Sequence, residues 1–99
     1  MTIKSLFTDY LNYLEIEKNR SIKTIENYDR YLRRFFDYAK INSPSSISND
    51  VVRNYRLHLN RITPPLKKIT QAYHLIALRN FLKYLAKRDV KTLTADKIE

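Results

Sequence analysis

The stretch Ser21–Lys40, SIKTIENYDRYLRRFFDYAK, decides the fold. Placed on a helix at roughly 100° per residue, Ile25, Tyr28, Leu32, Phe35, Phe36 and Ala39 fall into one apolar stripe. The polar residues then sort by sign. Lys23, Asn27, Arg30 and Arg34, edged by Thr24 and Tyr31, take one flank, while Glu26, Asp29 and Asp37 take the other with Arg33 among them. Glu26–Arg30, Asp29–Arg33 and Arg33–Asp37 are i,i+4 pairs that support an isolated helix and need no partner to explain them. A helix built only for solubility mixes its signs around the exposed arc, however, and this one keeps a cationic flank apart. That flank is the candidate binding surface.

The same spacing continues on both sides of this stretch. Ile3, Leu6, Phe7, Tyr10, Leu11 and Leu14 predict helix one over residues 3–18, with Thr2 as its N-cap. Glu15 and Glu17–Arg20 make a polar turn, after which Ser21 caps helix two by accepting from the N–H of Lys23 or Thr24. Helix two stops near Ile41, where Asn42-Ser43-Pro44-Ser45-Ser46 is turn chemistry. Ser48 caps a short helix three, Asp50 suits its first turn, and Val52, Tyr55 and Leu59 face inward. Thr63-Pro64-Pro65 ends it, because a helix interior tolerates neither proline.

Helix four is predicted from about Lys67 to Arg88. Leu75, Leu78, Leu82 and Leu85 form a stripe with Phe81 beside it, and Ile69, Tyr73, Ile76 and Tyr84 line much of the opposite side. A helix apolar on more than one face is usually central or partly interfacial. From Val90 onward no period is sustained, which predicts a frayed tail or linker. No strand-like alternation occurs. The expected fold is all-α, a compact four-helix bundle, with one domain over residues 1–90 and a linker over residues 91–99.

Composition narrows the function. The chain of 99 residues has no cysteine, so it has no disulfide, thiolate metal site or thiol nucleophile, which fits a reducing cytoplasm. It has no glycine, which excludes the Gly-rich loops that cradle phosphates. Its apolar runs are too short for a membrane span and its start lacks an apolar signal region, so a soluble cytoplasmic protein is expected. The net charge is +9, and residues 20–40 and 61–91 carry +3 and +7 of it, more than the whole excess. Positive charge placed so unevenly favours a polyanionic partner. Helix four has the composition of an amphipathic membrane helix, but its leucines are better used against three partner helices. No membrane partner is expected.

Catalytic chemistry finds little support. His58 and His74 fall on different helices without paired carboxylates at metal-ligand spacing, so neither a metal nor another cofactor is expected. His58-Leu59-Asn60-Arg61 spells H-x-x-R, a pattern of DNA strand-exchange sites, but here it ends a short helix without the accompanying groups and reads as coincidence. Tyr10, Tyr28 and Tyr55 suit the core. Tyr31 and Tyr73 lie on or beside a polar face, where their hydroxyls reach phosphate or sugar or their rings pack at the core edge, and His74 reads as a surface or groove-facing donor.

Ser21–Phe35, S-I-K-T-I-E-N-Y-D-R-Y-L-R-R-F, resembles the S-x-x-T-x-x-x-Y-x-x-x-L-x-x-F signature in the N-terminal domain of tyrosine recombinases, the phage integrases. Thr70–Leu85, T-Q-A-Y-H-L-I-A-L-R-N-F-L-K-Y-L, is similar to that domain's last helix. The resemblance extends over about residues 3–98. It implies an orthogonal four-helix, SAM-like core-binding domain that clamps double-stranded DNA opposite a separate C-terminal catalytic domain of the same parent chain. It also implies assembly as a recombinase tetramer on DNA. The catalytic groups belong to that second domain, so this chain is not expected to be an enzyme.

The resemblance carries over binding roles only. It places Lys23, Thr24 and Asn27 at the groove, with Arg30, Tyr31 and Arg34 following the backbone, and on helix four Thr70, Tyr73 and His74 supported by Lys67 and Lys68. Cationic side chains would neutralise phosphates, while the Asn27 amide suits adenine in the major groove. Two residues depart from the family pattern. Gln71 replaces an aliphatic residue, which predicts a turned or frayed start to helix four, and Arg88-Asp89 stands where a glycine usually follows the helix. A helical protein-interaction or oligomerisation module is the alternative function.

Overall fold

The first turn of a helix leaves backbone N–H groups without partners, and three of the four helices begin where a hydroxyl relieves one. Thr2 accepts from the Ser5 N–H, Ser21 from that of Thr24, and Ser48 from that of Val51, each at 3.2 Å. The computed structural model describes residues 2–98 and contains α1 (Ile3–Ile16), α2 (Ile22–Ala39), α3 (Asn49–Arg61) and α4 (Lys68–Lys87), with 3₁₀ turns at Pro44–Ser46 and Ala95–Lys97. No strand occurs among the described residues. The fold is the expected all-α, four-helix, SAM-like one.

α4 starts without a side-chain cap at Lys67. Instead the Gln71 side-chain N–H donates to the Leu66 carbonyl at 3.1 Å, tying the first turn to the incoming loop. The expected frayed start is therefore absent, because the polar side chain that departs from the family pattern is the one that holds it.

Many helices end on a left-handed residue, and where this glycine-free chain uses that ending it must use other residues. Asn19, Lys40 and Asp89 take positive φ, at 50°, 52° and 57°. At Asp89 the N–H donates to the Ala86 carbonyl at 3.1 Å, and the Val90 N–H reaches the Leu85 carbonyl at 3.0 Å. This doubly bonded turn ends α4 at Lys87, with Asp89 in the glycine place.

α4 is the central element and touches α1, α2, α3 and the Ala95–Lys97 turn, most extensively α2. Leu78, Phe81, Leu82 and Leu85 are fully enclosed, as are Tyr10, Leu32, Tyr55 and Leu59 from the other helices. Phe7, Phe36 and Phe81 meet edge to face with centroids 5.2–6.5 Å apart, the geometry that ring quadrupoles favour. Tyr84 is buried rather than on an outward side, because it packs between Tyr10 and Tyr13 of α1.

The segment after Val90 does not fray. Val90, Leu93 and Ala95 pack against the core, Thr92 donates its hydroxyl to the Pro44 carbonyl at 2.8 Å, and Ile98 is only 3% exposed. These apolar residues follow no helical period, so each docks singly: Ile98 is buried and forms one wall of a groove between α3 and α4, with Leu57, Leu59, Leu75 and Ile76. Glu99, the end of the expected linker, lies outside the described residues. No described helix is long and apolar enough to cross a membrane.

Candidate nucleic-acid interface

Tyr31 of α2 and His74 of α4 form the seam on which the expected binding face is built. Their rings lie 4.5 Å apart, and the Arg30 guanidinium sits 5.3 Å from the centre of the Tyr31 ring. His74 donates its Nδ1–H to the Thr70 carbonyl at 2.7 Å. The seam exists because Tyr31 lies at the edge of the α2 stripe, half-buried, while His74 occupies an inward position of α4.

His74 is not the groove-facing donor expected from sequence. It is 4% exposed, enclosed beneath Tyr31. Burial pushes its pKa below the ordinary value; the bond to Thr70 opposes this, and the positive fields of Arg34 and Arg30 reinforce it. A neutral imidazole at this place joins the two helices and leaves contact with solvent to its neighbours. Tyr73, one residue earlier, is 46% exposed.

The other expected residues divide. Arg30, stacked on Tyr31, and Arg34 lie close enough to His74 for their charges to act on it. Lys23 is exposed in the first turn of α2. Thr24 is half-buried and bonded to Ser21, through both its N–H and its hydroxyl. The Asn27 Oδ1 accepts from Arg30 at 3.0 Å, which pre-positions both side chains and occupies the acceptor end of the amide. Lys67 is exposed at the α4 N-cap. Lys68 turns away toward α3, donating to the Asn60 Oδ1 at 3.0 Å and lining the α3–α4 groove instead.

The charge segregation on α2 is looser in three dimensions than along the helix. Glu26, Asp29, Arg30, Arg33 and Arg34 border one shallow depression with Tyr38, whose ring stacks on His58 at 4.5 Å. Arg33 is tied to Asp29 at 2.6 Å. The depression is therefore mixed in sign, with Arg30 and Arg34 sharing it with Glu26, Asp29 and Asp37.

Sequence reasoning missed a second cationic group. Lys18 and Arg20 from the α1–α2 turn meet Lys83 and Lys87 of α4 around Tyr13 and Asn80. Residues more than sixty positions apart leave no local pattern, and Lys18 and Arg20 read simply as turn residues.

Fold and seam together define a small helical domain that presents cations from α2 beside the start of α4. The chain belongs to the family of phage integrase N-terminal SAM-like domains, whose model matches residues 7–89. Among curated proteins it is similar to the tyrosine recombinase XerC of Pelotomaculum thermopropionicum, 31% identical over 90 residues, covering 83% of this chain and 29% of that protein. It is also similar to the tyrosine recombinase XerC of Thermodesulfovibrio yellowstonii, 32% identical over 78 residues, covering 79% of this chain and 25% of that protein. The chain thus spans less than a third of the length of these relatives. No solved structure gives a significant match.

Proposed function

We propose that this chain is the duplex-DNA-binding module of a tyrosine recombinase and grips DNA opposite a catalytic domain carried elsewhere in the parent protein. The observation that carries this reading is the Arg30–Tyr31–His74 stack. It joins α2 to the first turns of α4, and on this reading Lys23, Thr24, Asn27, Arg30, Tyr31 and Arg34 face the duplex together with Thr70 and Tyr73. Lys23, Arg30 and Arg34 neutralise phosphates and release counterions, while Asn27 and Thr24 address base edges in the major groove. His74 acts as a positioning residue, and Lys68 supports from the α3 side.

Strand-exchange chemistry, on this reading, belongs to the catalytic domain. Residues 91–99 are the connector toward it, and the parent acts in the cytoplasm as a tetramer on DNA. The test is a titration of the ¹⁵N-labelled chain with a short duplex. Amide shifts concentrated on Lys23–Arg34 and Lys67–His74 are expected, and shifts confined to other surfaces would overturn the reading.

A second reading, a helical interaction module, is favoured by one observation. Ile69 and Ile76 of α4 and Leu57 of α3 are 56%, 51% and 43% exposed. Self-association of the chain without DNA, seen by sedimentation, would support it.

A further inference from the structure

We propose that the α1–α2 turn and the last two turns of α4 form a phosphate-binding notch, lined by Lys18, Arg20, Lys83 and Lys87 around Tyr13. It lies apart from the Tyr31–His74 seam and uses none of the residues assigned there.

The notch is built by backbone geometry as much as by charge. Asn19 adopts the left-handed conformation, which folds the turn back over the end of α1. The Lys18 N–H then donates to the Tyr13 carbonyl at 3.1 Å and the Arg20 N–H to the Leu14 carbonyl at 2.9 Å. Both flanking cations are thereby held at one end of α1. The Lys18 ammonium sits 5.9 Å from the centre of the Tyr13 ring, and the Lys87 ammonium sits 6.0 Å from the same ring. Lys87 also donates to the Tyr13 hydroxyl at 3.5 Å. Tyr13 itself is seated on Tyr84, centroid to centroid 4.8 Å.

Beneath this layer Tyr10 donates its hydroxyl to the Asn80 Oδ1 at 2.7 Å, and the Arg20 charge is near enough to act on that hydroxyl. The bond engages the oxygen of the Asn80 amide, the end that would repel an anion, and leaves its NH₂ as the available end. Ammonium, guanidinium and amide donors thus converge from two elements on a notch of about 170 Å³. Donors from several directions suit the oxygens of a phosphate group.

Two helix C-termini account for some of this positive charge, since each carries roughly half a negative elementary charge. Together they offset about one of the four cations. Among the described residues no carboxylate lies within 4.0 Å of any of the four, the ion pairs being Arg33–Asp29 and Arg88–Asp9. Like charges left uncompensated at close quarters repel one another, and a bound phosphate relieves that repulsion. The phosphate can come from the backbone of the duplex in the proposed function, and to that extent the inference rests on that reading, or from a free polyphosphate.

The test uses the 99-residue chain, the double variant Lys83→Gln/Lys87→Gln, and a charge-matched control, Lys4→Gln/Lys97→Gln. All four lysines are exposed, so both variants should keep the wild-type circular-dichroism melt. Pyrophosphate added to the ¹⁵N-labelled wild type should shift the amides of Tyr13, Lys18 and Arg20, and the shifts should vanish in the first variant but not in the control. With a short duplex, the first variant should bind about tenfold more weakly, and its slope of log K against log salt should shrink by about 1.8, twice the per-phosphate value. The control should change both by less.

Pyrophosphate shifts with unaltered duplex binding would make the notch a polyphosphate site. Pyrophosphate shifts in a chain that binds no duplex would sink the DNA reading and leave the notch standing. Unshifted notch amides together with an unaltered duplex salt slope in the first variant would overturn the inference.

Discussion

The ring of Tyr31 lies 4.5 Å from the imidazole of His74, and that contact joins the cationic helix α2 to the first turns of α4. Burial disfavours the charged form of His74 there, the bond to Thr70 opposes this, and Arg34 and Arg30 disfavour it further.

A pH dependence follows. The folded-state pKa of His74 lies below its ordinary value, so as pH falls through about 6.5 the unfolded chain takes up a proton there that the folded chain refuses. Stability from this group is therefore fully present above that pH and declines as pH drops toward the folded pKa. Urea midpoints measured from about pH 7 down to about pH 5 should fall, and the His74→Gln variant should flatten that slope.

Two buried tyrosines should answer oppositely to loss of their hydroxyls. The Tyr55 hydroxyl is buried without a hydrogen-bond partner among the described residues, whereas that of Tyr10 donates to Asn80. Burial raises the pKa of both, so neither ionises near neutrality. Tyr55→Phe should leave stability unchanged or raise it by about 1 kcal/mol, and Tyr10→Phe should lower it by about 1 kcal/mol, read from urea unfolding.

The left-handed residues make a third case. Lys40 holds φ 52° with a side chain that gains nothing from it, while Asn and Asp tolerate that region better. Lys40→Gly should stabilise by roughly 1 kcal/mol, and Asn19→Gly and Asp89→Gly by less, measured as shifts in thermal midpoint.

On the proposed DNA face, charge and amide should separate. Lys23→Ala and Arg34→Ala should weaken binding to every duplex and each reduce the salt slope by about 0.9. Asn27→Ala should chiefly relax the preference between sequences. Fluorescence anisotropy over a salt series reads both, and affinities left intact by the two charge removals would place the face elsewhere.

Much of the fold was legible because its signals are local. The apolar period of residues 21–40, the hydroxyl caps at Thr2, Ser21 and Ser48, and the proline break after Thr63 each act within a turn or two of their own position. The Gln71 start and the Ile98 anchor were misread for the opposite reason. Gln71 stabilises by reaching Leu66, and Ile98 is buried beside residues of two distant helices, neither of which a periodicity can register.

For the candidate site, sequence alone determined which side chains share a face of α2, since helical geometry follows from spacing. Only the tertiary structure decided what those side chains meet. It sank His74 beneath Tyr31, turned Lys68 toward Asn60, and gathered Lys18 and Arg20 with Lys83 and Lys87. The rotation and crossing of packed helices are set by how their side chains interlock across the core, and that information is shared among distant residues rather than held by any one stretch.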